Sequence, residues 1–170
     1  PGLRLTDEQI NNIEKAGKKG AAVYTFVFTS GLIANQHVDS LQQKQLDTYY
    51  DNRSKSNFRN MLHYVRNTFD KRKLFKLEAK EPQIIPSNIF FHLEDGVFYQ
   101  TADELTDYLH KKNIYKEGAP RIALVTGMTS PLEGNRGYID SMIVRLSDAG
   151  FNVYPLFSAA KRQELMESVH

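Results

Sequence analysis

The spacing of apolar residues along the chain predicts several amphipathic helices. Side chains three and four positions apart lie on the same face of a helix, so apolar residues at that spacing indicate a face that packs on a core. One such stripe runs from about Asn57 to Phe69, and another precedes Gly150, a residue type that commonly follows the end of a helix. The members of the two stripes are Phe58, Met61, Leu62, Val65 and Phe69, and Ile139, Met142, Ile143 and Leu146.

Capping residues and weaker helical spacing predict the remaining helices. Thr6 and Thr101 each stand three residues before a Gln or Glu, which is the spacing of a capping box at the start of a helix. A more polar helical segment covers residues 41–50, and a last helix is expected from about Ala159.

Runs of β-branched and aromatic residues predict the strands. The segment AAVYTFVFTS suits a buried strand, RIALVTG and FNVYPLF suit two further strands, and NIFFHLEDGVFY suits a short β-segment with a turn at Asp95 and Gly96. Short connections join RIALVTG, the helix after it and FNVYPLF, which implies two parallel strands with a right-handed crossover. We therefore expect an α/β fold: an open, mostly parallel sheet of Rossmann-like βαβ units with a helical insertion.

Length and composition are those of a globular protein with two parts. The chain has 170 residues, of which 41% are apolar and 25% are charged, so it can bury a sizeable core. A basic and proline-containing connector, DKRKLFKLEAKEPQIIPSN, interrupts the predicted elements. We place a boundary there, between an N-terminal α/β edge with a helical segment (residues 1–80) and an α/β domain (residues 81–170).

Charge and cysteine content exclude several classes of function. The formal net charge is +2 and the basic residues form no continuous stripe, so nucleic acid is not an expected partner. The chain has no cysteine, which excludes disulfides, thiolate zinc sites and cysteine nucleophiles. No apolar run approaches the roughly 20 residues that span a bilayer, and the N-terminus lacks the apolar core of a signal peptide, so we expect a cytoplasmic protein.

The loop in VTGMTSPLEGNRG lies where many α/β proteins bind a phosphate, between a strand and a helix. It has neither the Walker A pattern nor the dinucleotide pattern GxGxxG, and Pro131 has no N–H to offer an anion. A purely structural turn is one interpretation. A ligand-binding role is the other, because ligands bind beyond the carboxyl ends of parallel strands and helix N-termini attract anions. The polar candidates for that role are Thr129, Ser130, Asn135 and Arg136.

The histidines do not predict a metal site. The five of them are spread along the chain without the spacing of metal ligands. His92 is nevertheless a candidate ligand-binding residue, because burial among the aromatic and acidic residues of FFHLED could shift its pKa. The chain has no nucleophile elbow and no P-loop, so a small independent hydrolase is a weak alternative.

The order of the segments resembles that of the family formed by the large subunit of cobaltochelatase and the H subunit of magnesium chelatase. The resemblance runs from IFFHLEDGVFY through RIALVTGMTSPLEGNRGYIDSMIV to FNVYPLFSAA. His92 stands at the position of the family's His, Leu93 replaces the Pro after it, and Ile139 and Asp140 match the pair that opens the family's helix. Upstream, LDTYYDNRSKSNFRNMLHYVRNTF is similar to the family's tyrosine-containing helix, turn and next helix, with Asn57 at the Asn of the turn.

The chain departs from the family's pattern in the loop after its strand. Met128, Thr129 and Ser130 stand where the family commonly has an Arg-Ser-His-Tyr type sequence. This difference suggests a divergent branch, with a different metal, ring or direction of reaction.

The resemblance implies that the chain is an N-terminal piece of a much longer protein that holds a porphyrin or corrin. An AAA+ ATPase partner would use ATP and Mg²⁺ to drive insertion of a divalent metal, and the piece itself would hold no cofactor and not catalyse alone. An aromatic cleft with cationic groups would suit the ring, and the candidates are Tyr99, Tyr115, Arg121 and Arg136. The alternative is a self-contained α/β module that binds a small anionic ligand or a protein partner.

Overall fold

The computed structural model of the chain describes residues 5–26, 34–70, 72, 75–126 and 130–158. The contacts divide the chain into two units. Unit 1 comprises Pro1–Asn52 and Asn57–Gln83, and unit 2 comprises Arg53–Ser56 and Ile84–His170.

Unit 1 contains two capped helices and the larger part of a third. Helix α1 (Asp7–Lys18) begins after Thr6 with the predicted capping box, and α2 (Ser40–Asp51) begins after Asp39 with a second one. In both, the capping side chain accepts a hydrogen bond from a first-turn N–H that has no partner within the helix. Helix α3 (Lys55–Phe69) follows.

The segment predicted as the strand AAVYTFVFTS forms no strand where it is described, so that prediction is wrong for residues 21–26. Val23 makes one isolated antiparallel bridge. The rings of Tyr24 and Phe26 instead lie edge to face with their centroids 5.0 Å apart, and Phe26 stacks on Tyr50 of α2 at 4.7 Å. These aromatic side chains pack on a helix rather than on a neighbouring strand. The rest of the prediction lies outside the described residues.

The most buried side chains of α3 are polar and not the predicted apolar stripe. Asn57 and Asn60 are buried, whereas Leu62 of the apolar stripe is 64% exposed. We call Asn57, Asn60 and Asn67 the amide stripe, because their spacing places them along one side of the helix. They face the extended segment that follows α3.

The amide stripe fastens this extended segment by hydrogen bonds to its backbone. The amide of Asn57 accepts from the N–H of Gln83 (2.9 Å) and donates to its carbonyl (2.7 Å). The amide of Asn67 makes the same pair of bonds with Leu77, at 3.0 and 2.6 Å. Asn60 accepts a further backbone N–H between them, at 3.2 Å. The side chains thus satisfy backbone groups that a strand partner would otherwise pair.

Unit 2 contains a three-stranded mixed sheet in the order β1-β3-β2. Strand β2 (Arg121–Thr126) pairs parallel to β3 (Asn152–Ser158), and β1 (Asn88–Phe90) pairs antiparallel to β3. The predicted parallel pair is present, but a mostly parallel Rossmann-like sheet is not found in the described residues. The crossover between β2 and β3 contains a helix and returns the chain to the same end of the sheet, so the two strands run parallel. No such connection constrains β1, which lies far from β3 in sequence.

Helices cover both faces of β3, the central strand. Val153 and Tyr154 are neighbours in sequence and therefore point to opposite faces. Helix α5 (Gly137–Asp148) packs on the face of Val153, and α4 (Ala102–Lys111) packs on the face of Tyr154. The two buried clusters are Phe91, Ile139, Ile143 and Val153 on one face, and Leu105, Leu109 and Tyr154 on the other.

The start of α4 shows half of the predicted capping box. Thr101 accepts a hydrogen bond from the N–H of Glu104 at 3.2 Å, but the Glu104 carboxylate accepts from Gln100 rather than from Thr101. The helix predicted from about Ala159 lies outside the described residues. Among the helices that are described, none has the length and apolar character to cross a membrane.

Candidate functional site

The loop between β2 and α5 is held by bonds of its own residues to the segment around residue 54. Ser130 is 5% exposed, and its hydroxyl donates to the carbonyl of Arg53 (2.7 Å) and accepts from the N–H of Leu132 (3.2 Å). The N–H of Lys55 donates to the Leu132 carbonyl at 2.9 Å. The predicted site residue Ser130 therefore fixes the loop. Thr129, also predicted, lies outside the described residues.

Arg136 is the centre of the polar contacts in this region. It precedes α5 and is 4% exposed. Its Nε and Nη2 both lie 2.7 Å from one carboxylate oxygen of Asp140, and Nη2 also donates to the carbonyl of His92. The guanidinium carbon lies 5.0 Å from the centre of the Phe91 ring. The buried cation is thus paired with a carboxylate four residues later, as helical spacing allows.

Two features leave donors available beside Arg136. Its Nη1 is buried and has no hydrogen-bond partner among the described residues. No side chain in the described part of the chain caps the first turn of α5, and space is open beyond Gly137. Asn135, the residue before Arg136, is exposed. Near the carboxyl end of β2, an exposed amide and uncapped backbone N–H groups therefore stand next to a buried guanidinium.

Cations around the loop are balanced by carboxylates. Lys55 lies against Gly134, where an added Cβ would overlap its Cε. Three cation–carboxylate pairs surround the loop at 3.7, 2.6 and 2.7 Å respectively: Arg53–Glu133, Lys55–Asp95 and Arg136–Asp140. The region is therefore polar without an excess of positive charge.

His92 is buried in its neutral form beside two tyrosines. It is 4% exposed, and burial, followed by the charge of Arg136, lowers its pKa to about 4. Its ring centre lies 5.8 Å from that of Tyr108, which lies 5.2 Å from that of Tyr99. Burial raises the pKa of Tyr99 to about 12, so that phenol is also uncharged at neutral pH.

The structure brings some of the predicted residues together and separates others. His92 and Arg136 are in direct contact, and Tyr99 reaches His92 only through Tyr108. Arg121 donates to the hydroxyl of Tyr115 at 3.1 Å. That pair lies at the start of β2, roughly 16 Å along the strand from the loop that follows it.

Sequence reasoning missed several partners in this region. Asp140 could have been predicted as a partner of Arg136, because it stands four residues later in a helix. The sequence analysis named it only through the family resemblance. No sequence pattern indicated Arg53 and Lys55, because they contact the loop from almost 80 residues away in the chain. Within the part of the chain that the structure describes, no group of three or more His, Asp or Glu side chains could hold a metal ion.

Comparison with known proteins identifies the family. A family model described as CobN/Magnesium Chelatase matches residues 47–170. No curated protein matches the chain. Among solved structures, the catalytic subunit of cobaltochelatase from Mycobacterium tuberculosis is similar, with a TM-score of 0.58 and 16% identity. That likeness covers 96% of this chain and 15% of the other, and at this identity it shows the fold alone. Because the family model matches well over half of its residues, the chain belongs to the CobN/magnesium chelatase family.

Proposed function

We propose that the chain is part of the tetrapyrrole-binding large subunit of an ATP-dependent metal chelatase, which inserts a divalent metal into a porphyrin or corrin. The observation that carries this proposal is the family match over residues 47–170. In the proposal, AAA+ ATPase subunits of the same complex bind ATP and Mg²⁺. The chain itself contributes to holding the ring and does not catalyse alone.

The donors at the carboxyl end of β2 support a role in binding the side chains of the ring. Tetrapyrroles of this class carry carboxylate or amide groups at their edge. A carboxylate is suited to the two N–H groups on Nη1 of Arg136 and to the uncapped first turn of α5. Asn135 adds an exposed amide next to them, and Thr129 and Ser130 precede it in the sequence.

The neutral aromatic groups near Arg136 suit the flat face of such a ring. His92, Tyr108 and Tyr99 form a continuous row of ring contacts. Flat π-systems stack favourably on aromatic side chains, and the interaction needs no charge on the protein. In this proposal His92 and Tyr99 line the ring, and Arg136 and Asn135 bind its edge.

The paired charges around the loop predict how binding responds to salt. Each cation near the loop has a carboxylate partner, so an anionic ring gains little from long-range attraction. Screening by salt weakens interactions between exposed charges beyond about 10 Å at 0.1 M. Binding that depends on hydrogen bonds and stacking should therefore change little between low and moderate ionic strength.

A titration with protoporphyrin and with a cobalt-free corrin, followed by absorbance and tyrosine fluorescence, tests the proposal. We expect saturable binding, weakened about fivefold in Asn135→Ala, which is the effect of losing one hydrogen bond of about 1 kcal/mol. Asn12→Ala, which removes an exposed amide on α1, is the matched control and should bind as the unaltered chain does. Absence of saturable binding by the folded chain would contradict a ring-binding role.

A further inference from the structure

A second candidate site lies in unit 2, away from the loop that follows β2. It is a cavity of about 390 Å³ at the amino end of β3, between the last turns of α4 and α5. Leu109 lines it from α4, Val144 from α5, and Val153 from the strand. Ligands of open α/β sheets usually bind at the carboxyl ends of the strands, so this cavity is separate from the usual place.

The lining of the cavity is mainly apolar and includes aliphatic side chains that water reaches. Leu93, Ile114 and Val144 stand around it and are 43%, 44% and 42% exposed. Leu109 and Val153 are 3% and 2% exposed and form its inner wall. A ligand that covered the three exposed side chains would remove apolar surface from water, which is favourable by about 25 cal/mol per Å².

One polar side chain of the lining is buried and lacks a partner. His92 lines the cavity, and its Nδ1 has no hydrogen-bond partner within the described residues. A buried polar atom without a partner costs about 1–3 kcal/mol, so a ligand group that pairs with it gains affinity and selectivity. Its low pKa keeps the imidazole uncharged at neutral pH. The two charged residues of the lining, Lys116 and Asp148, are exposed and of opposite sign, so the lining as a whole favours a neutral ligand.

Hydrogen bonds connect the segments that form the walls of the cavity. The amide of Asn152, 2% exposed, accepts from the N–H of Lys116 (2.9 Å) and donates to its carbonyl (2.8 Å). The ammonium of Lys116 donates to the carbonyl of Ser147. These bonds tie the connection after α4 to the start of β3 and the end of α5. The cavity is therefore preformed, as small-molecule sites usually are.

We propose that this cavity binds a neutral, mainly apolar small molecule of one or two rings that places one hydrogen-bonding group against Nδ1 of His92. Its volume is in the lower part of the range of roughly 300–1,000 Å³ for small-molecule sites. The cavity shares His92 with the proposed ring-binding surface. Its apolar lining lies at the amino end of β3, away from Asn135, and the probes below test it without a tetrapyrrole.

Two simple probes test the site on the 170-residue chain by ligand-observed NMR. Indole offers a donor to Nδ1, and quinoline offers an acceptor, so the pair covers both tautomers of His92. We expect at least one probe to bind saturably, and its analogue without the polar group (1-methylindole or naphthalene) to bind about fivefold more weakly. Since the chain has no Trp, indole fluorescence is a second readout.

A matched pair of variants places the binding in the cavity. Val144 and Met142 both lie on α5 and are 42% and 43% exposed, but only Val144 is part of the lining. Val144→Lys should weaken the probe about tenfold or more, and Met142→Lys should leave it unchanged, with circular dichroism confirming that both fold. Three results would each overturn the proposal: no saturable binding of either probe, equal losses in both variants, or analogues that bind as tightly as their parents.

Discussion

In unit 2 apolar side chains pack on both faces of a sheet, whereas in unit 1 the buried face of α3 consists of side-chain amides that bond to the backbone. In unit 2, Phe91 and Ile143 are fully buried and β3 pairs with strands on both sides. In unit 1, the buried face of α3 carries Asn57 and Asn60, and the segment beside it has no strand partner among the described residues. Backbone N–H and C=O groups are therefore paired by neighbouring strands in the sheet of unit 2 and by side-chain amides beside α3 in unit 1.

The difference has an energetic consequence. Burying a large apolar side chain stabilises a fold by about 1.5–3 kcal/mol relative to leaving it exposed, and the gain is similar for different apolar residues. A hydrogen bond contributes only about 0.5–1.5 kcal/mol net, but an unpaired buried group costs about 1–3 kcal/mol. Unit 2 should thus tolerate conservative apolar exchange, and unit 1 should depend on the identity of a few amides.

The largest effect is expected in the core of unit 2. Phe91→Ala removes a fully buried ring that packs with Ile143 and lies under the guanidinium of Arg136. We expect the free energy of unfolding of unit 2 to fall by about 3–5 kcal/mol, measured by urea unfolding and residue-resolved hydrogen exchange. The control is Leu62→Ala, at a side chain that is 64% exposed, which should cost less than about 0.5 kcal/mol. Similar losses in both variants would contradict an apolar core centred on Phe91.

A second effect in unit 2 depends on pH. Burial lowers the pKa of His92 from 6.5 to about 4, so the unfolded chain binds more protons than the folded chain between these values. Stability is therefore full above pH 6.5 and falls as the pH falls towards 4, by up to about 3 kcal/mol from this group.

Urea unfolding at several pH values from 7 to 4 checks this linkage. His92→Gln should remove the contribution and flatten the pH dependence, while His110→Gln, at a side chain that is 49% exposed, should leave it in place. If the free energies of unfolding of the unaltered chain and of His92→Gln change with pH in the same way over that range, His92 is not buried in its neutral form.

The sequence predicted unit 2 better than unit 1, for a physical reason. Runs of β-branched residues predicted strands β2 and β3, apolar spacing predicted α5, and the helical crossover between the two strands sets their parallel direction. The direction of β1 and the contacts of Arg53 with the loop arise between segments far apart in the chain. Periodicity within a segment carries no information about them.

Unit 1 was harder to predict because its buried face is polar. Spacing alone makes Asn57, Asn60 and Asn67 look like the solvent-facing side of α3, and the stripe that contains Leu62 look like the buried side. The partners of the amides stand 10 to 26 residues later, in a segment whose composition is that of a solvated connector. The three helices of unit 1 and the cap at Thr6 were predicted correctly, because they depend on residues that are close together in the sequence.

The smallest expected effect tests the amide stripe itself. Asn57→Ala removes both bonds to Gln83 and a third, 2.6 Å long, to the carbonyl of Asn52. We expect a loss of about 1–3 kcal/mol in unit 1 and faster exchange of the Gln83 amide proton, because its acceptor is gone. Asn57→Asp keeps that acceptor but no longer donates, so Gln83 should stay partly protected. Asn12→Ala, at an exposed position, is the control. Should Asn57→Ala cost no more than Asn12→Ala, the apolar contacts of unit 1 alone would hold the segment, and the contrast between the two units would disappear.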